Sequence, residues 1–181
     1  MGLSPEQFRY LLIGHFFAAS VINFVLNGAI GLLAFRGVDP VSTWGVESSA
    51  GPDLIGTCLF LPAITCLIVT GIVHRHLRAG AVEALSPDAL PVWLAGFQRP
   101  LVNRSLRFGM AGLLLIGGPL ALVLVSLGPQ AVALTPFLWL KAGFSAALAG
   151  LVTPLIGLVA LADAEPDPLE LADIGPEPQE V

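Results

Sequence analysis

Charge is what this chain of 181 residues has least of: Asp, Glu, Lys and Arg make up 12% of it, about half the roughly 25% of ordinary soluble domains. The shortage is local. Four stretches, 10–35, 54–73, 108–127 and 137–162, contain no Asp or Glu, and Lys141 is the one Lys or Arg among them. A helix needs about 20 mostly apolar residues to cross hydrocarbon. The sequence therefore predicts an all-α integral membrane protein, a bundle of four transmembrane helices with these boundaries. The first is expected to be retained rather than cleaved, because its apolar run is about twice the length of a signal-peptide core.

Other absences narrow the chemistry. The longest stretch between spans, 75–107, is too short for an independent catalytic domain. The spans hold no paired carboxylates, and the chain has no His-Glu or Cys-His metal spacing, nucleophile elbow or glycine-rich phosphate loop. Proton-coupled transport normally uses an intramembrane acid, and none is present. The sequence thus predicts no enzyme, no bound cofactor and no nucleic-acid partner. The two cysteines, Cys58 and Cys66, lie on one helix, about 12 Å apart along its axis. They cannot bridge each other, and they read as small packing residues.

The positive charge that is present is unevenly distributed. With the helices threaded in order, Arg9, Arg75, Arg78, Arg99, Arg104 and Arg107 fall on the N-terminal side and only Arg36 on the other. By the positive-inside rule both termini should be cytoplasmic in a plasma (inner) membrane. Abundant Ala, Gly, Leu and Arg, with a single Lys, is the composition of a bacterium with GC-rich DNA. Residues 163–181 are acidic and proline-rich, and are expected to form a disordered cytoplasmic tail.

Between the second and third spans, Ser86 and Pro87 look like the start of a helix. Leu90, Trp93, Leu94 and Phe97 then recur at the spacing of one helical face. This predicts a short interfacial helix, weakened by Pro91, beside arginines suited to anionic lipid. Three prolines, Pro62, Pro119 and Pro154, sit near one depth, where kinks could open a cavity. In the fourth span Gly143 with Ala147, and Ala146 with Gly150, are small residues four apart. Such pairs let helices approach closely, either within the bundle or with a second copy or another membrane protein. The short connection before the fourth span predicts an antiparallel hairpin of the last two helices.

The polar groups inside the spans are the candidate site. Asn23 and Asn27 share one helical face, and a free amide in hydrocarbon costs several kcal/mol. That face must meet other helices, through Thr57, Thr65 or Thr153, or else line a solute path. Val21, Val25 and Leu32 point the opposite way, toward lipid. Lys141 either extends its ammonium to the interface or pairs with Asp39, Glu47 or Asp53, or with an anion or partner. His15, His74 and His76 could in principle supply axial imidazoles to a haem between two helices. They read equally well as a helix contact and a basic cluster. The first functional expectation is a non-catalytic accessory or interaction subunit. The alternatives are an oligomeric permease or channel with Asn23 and Asn27 on its path, and a haem-bearing electron carrier.

Overall fold

The computed structural model describes residues 3–45 and 47–163. Four helices are long and apolar enough to cross a membrane: α1 (Pro5–Ala34), α2 (Ala50–Arg78), α4 (Leu101–Leu127) and α5 (Leu134–Ala162). Each runs beyond its apolar stretch. At the start of α1, Ser4 caps the helix: its Oγ accepts from the Gln7 N–H at 3.1 Å, and the Ser4 N–H donates to Gln7 Oε1 at 2.9 Å. This reciprocal pair satisfies two of the free donors of a helix start. The far end of α2 carries Arg75, His76 and Arg78 in its last turn, where cations favour the helix dipole.

The helices do not all touch their neighbours in sequence. Helix α5 packs against α1 and α2, and α4 packs chiefly against α2. The order across the molecule is therefore α1, α5, α2, α4, with α5 the most buried. The short link after α4 makes a two-residue antiparallel pairing, β1 (Val41–Ser42) with β2 (Ala131–Val132), joining the two loops at that end. We call this the strand end, and the opposite one, where α1 begins and α5 finishes, the terminal end. At the terminal end, Val73, Phe108, Ile156 and Leu161 form the largest apolar core, sealed by Leu85, Leu90 and Leu94 of the α2–α4 connection. A smaller core of Phe35, Val41, Leu54 and Phe137 closes the strand end.

In the α2–α4 contact the two backbones meet. A Cβ added to Gly109 would stand 2.8 Å from the Leu59 carbonyl oxygen, and one on Gly112 would collide with the Cys58 carbonyl. Pro62 explains why that carbonyl is available: it has no N–H to give to the residue four positions back. Ser105 adds a hydrogen bond to the Ala63 carbonyl at 2.8 Å. Both α1 and α4 contain π turns, Leu11–Phe17 and Leu113–Gly117. The second immediately precedes Pro119, whose missing N–H would interrupt an α-helical ladder at that point.

Two expectations change: the last two helices do not pack as a paired hairpin, because α4 has its main contact with α2 and not with α5, and the link before α4 differs from the one predicted. The connection between α2 and α4 is not one amphipathic helix. A 3-10 turn (Pro87–Ala89) and a single-turn helix α3 (Val92–Ala95) flank Pro91, which ends the first and starts the second. Leu90 and Leu94 are buried while Trp93 projects outward. In α5, Gly143 and Ala147 are exposed, whereas Gly150 meets Ser20 and Phe16 of α1. The expected acidic tail lies, from residue 164 on, outside the described residues. Asp163 pairs with the buried Arg104 of α4.

Candidate groove between helices α1 and α2

A groove of about 680 Å³ runs between α1 and α2, with α5 as its floor. Its origin is the helix order: because α5 lies between them, α1 and α2 meet only near their ends. At the terminal end the Tyr10 hydroxyl and His76 Nδ1 are 2.8 Å apart, and the Gln7 amide donates to the Glu83 and Ala84 carbonyls at 3.3 Å. At the strand end Phe35, just past α1, joins Leu54 of α2 in the apolar core. Between these closures one side is open. The walls are apolar: Ile22, Leu26 and Ile30 on α1, and Phe60, Ile64 and Ile68 on α2. None of the three mid-helix prolines lines the groove.

The polar residues expected inside the spans meet here. Asn23, Asn27, Thr57, Thr65, Thr153, Lys141, His15 and His76 all line the groove. The asparagines do not bond to the threonines. Asn23 donates its amide to the Ala19 carbonyl at 3.0 Å, one turn back, and Asn27 donates to Asn23, at 3.2 Å to the carbonyl and 3.4 Å to Oδ1. The bonds the two amides make thus run along α1 itself. The Thr57 hydroxyl likewise donates to the Asp53 carbonyl at 2.9 Å. Thr153 is buried and its hydroxyl has no partner among the described residues.

Lys141 does not reach outward. Its side chain is buried at 3% exposure and its ammonium donates to Asp53, which is 23% exposed. Burial of the lysine is possible because Gly31 of α1 leaves room: a Cβ there would stand 3.1 Å from the lysine Cδ. Asp53 lies in the first turn of α2, where the helix dipole favours an anion. This carboxylate is the site residue that apolar runs undervalue, since it falls one position outside the expected span.

At the terminal end, the Tyr10 ring lies against both imidazoles, with ring centres 4.7 Å from His15 and 5.7 Å from His76. His15 Nδ1 is 3.4 Å from the Tyr10 carbonyl oxygen. His74, the third histidine expected as a possible axial ligand, does not line the groove. No group of three or more His, Cys, Asp or Glu suited to a metal occurs among the described residues.

Comparison with protein families, with characterised proteins and with solved structures finds no match. The groove's own geometry and chemistry carry the functional reading.

Proposed function

We propose that the protein is a non-catalytic, multi-pass component of a plasma (inner) membrane that binds a chain-like apolar molecule entering sideways from the bilayer. In this reading both termini are cytoplasmic, as the six-to-one arginine bias favours. The observation that carries it is the shape of the α1–α2 groove: closed at both ends, open at one side and walled by apolar residues. From Asp53 to His76 it follows 23 residues of α2, about 34 Å at 1.5 Å per residue, comparable with the roughly 30 Å of bilayer hydrocarbon. A volume of about 680 Å³ spread over that length makes a long, narrow trough, a shape that suits an extended hydrocarbon chain. An accessory role is compatible, with the bound chain as what the protein holds or presents.

The test is fluorescence quenching in bilayers. Ile64→Trp, with Trp44, Trp93 and Trp139 replaced by Phe, places one indole in the groove wall. Quenching by lipids brominated on their chains, with none by aqueous iodide, is the expected result. Quenching by neither would contradict the proposal.

A second reading, an oligomeric permease with Asn23 and Asn27 on its path, is favoured by one observation. The groove's open side is the side a second copy could close to make a polar-lined conduit. Strong quenching by iodide would support that reading over the first.

A further inference from the structure

We infer that the strand-end half of the groove reads the head of its ligand, and that this head is a neutral hydroxyl: the occupant is a single-chain lipid alcohol of the monoacylglycerol class. The inference rests on the chain-binding reading of the groove proposed for its function. It comes from which hydrogen-bonding capacities are left over.

Three side chains, Asp53, Thr57 and Asn27, line this half of the groove together with the buried Lys141. The Asn27 amide donates to Asn23, the Thr57 hydroxyl to the Asp53 carbonyl, and one N–H of the Lys141 ammonium to Asp53 Oδ2. What remains on Asn27, Thr57 and Asp53 is mainly acceptor capacity: Asn27 Oδ1 and Asp53 Oδ1, neither of which receives a donor among the described residues, and the lone pairs of Thr57 Oγ1. A surface of unfilled acceptors in a low-dielectric setting selects a ligand that donates. The charge on Asp53 is balanced by Lys141, so the cluster as a whole is neutral. A carboxylate or an ammonium head would each bring an uncompensated charge to this neutral cluster, and a carboxylate would also face the three acceptors. A hydroxyl donates without bringing charge.

Depth agrees with this assignment. Asp53 lies three residues into α2 and Asn27 seven residues from the end of α1, about 5 and 10 Å below the helix ends. A glycerol head placed there sits just under the interface, with its chain running toward the terminal end along Ile64 and Ile68. Farther down, the buried Thr153 hydroxyl, which has no partner among the described residues, lies on the chain's course.

The experiment uses the full chain, purified in a nonionic detergent, with retained ligands counted by native mass spectrometry. The probes are 1-oleoylglycerol, oleate and oleylamine, which share one chain and differ in the head. The expected result is retention of 1-oleoylglycerol over both others by about tenfold, the scale of one or two hydrogen bonds. Asn27→Leu with Thr57→Val should remove that preference, and Ile64→Trp should lower all three probes together. Should the double variant fail to elute as the wild type does, Thr57→Val alone, which is nearly isosteric, should reduce the preference about threefold. Equal retention of the three probes would overturn the head assignment, as would a preference for oleylamine or for oleate. Those outcomes leave the chain-binding reading standing so long as brominated lipid quenches the indole at position 64. Loss of that quenching, with no probe retained, would remove both.

Discussion

The two sides of α2 are built from the same kind of apolar helix and reach opposite results. Toward α4 the backbones meet: Gly109 and Gly112 lie on the carbonyls of Leu59 and Cys58, and Ser105 bonds to Ala63. Toward α1 the side chains stand apart and leave a groove of about 680 Å³. Glycine alone does not account for the contrast, because Gly14 and Gly56 face the open side with nothing, or only a ring edge at 3.9 Å, nearby. The difference is the third helix. On the α4 side nothing intervenes, whereas on the α1 side α5 is interposed and both helices pack on it instead of on each other. In a bilayer, where lipid is as apolar as leucine, close backbone packing is a main source of helix association. A face that forgoes such packing and carries amides, hydroxyls and an ion pair is one suited to a ligand.

Substitutions can break this contrast in a graded way. The largest effect is expected from Lys141→Met, which leaves Asp53 facing the groove with an unpaired charge. The loss should be about 3 kcal/mol, at the low end for a buried pair because Asp53 is partly exposed. Adding Asp53→Leu should recover most of it, and reversible unfolding in mixed micelles measures both. Next comes Gly112→Leu, which drives a side chain into the Cys58 backbone. Its cost should be up to about 3 kcal/mol, seen as a lowered thermal midpoint. On the open side the same kind of change should reverse sign: Gly14→Ala meets no neighbour and should gain about 0.5 kcal/mol from helix propensity. An effect of the same small size is expected from Ser105→Ala, which removes one interhelical hydrogen bond worth about 0.6 kcal/mol in a membrane protein. If Gly14→Ala were as damaging as Gly112→Leu, the two sides would not differ as described.

The helices themselves are legible in the sequence because a bilayer imposes a strong demand: about 20 apolar residues with no acid, which chance rarely supplies. Their ends are less so. The Ser4–Gln7 capping box is visible in the sequence but lies outside the apolar run, and α2 begins at Ala50, four residues before hydropathy marks it. That offset conceals Asp53, which reads in the sequence only as one of three loop acids that could face Lys141. The face shared by Asn23 and Asn27 follows from helical periodicity. Which helix they would meet does not, because periodicity says nothing about the order of helices across a bundle. The short Gly128–Ala133 link implies that α4 and α5 form a paired hairpin, yet α4 has its main contact with α2. The glycines of α4 carry the signal for that contact, at positions 109 and 112, although the more conspicuous stripe of small residues lies in α5. The π turns have no recognised sequence signature here beyond the proline that comes after one of them.

The central claim, that the Asn23 and Asn27 face is open to lipid chains and not packed against α2, is tested most directly by nuclear Overhauser contacts from the two side-chain amides in a nanodisc. The account predicts contacts from both amide groups to chain methylene protons, and none to the methyl groups of Thr57 or Thr65. Strong contacts to those methyls, with none to lipid, would show the groove closed and contradict it.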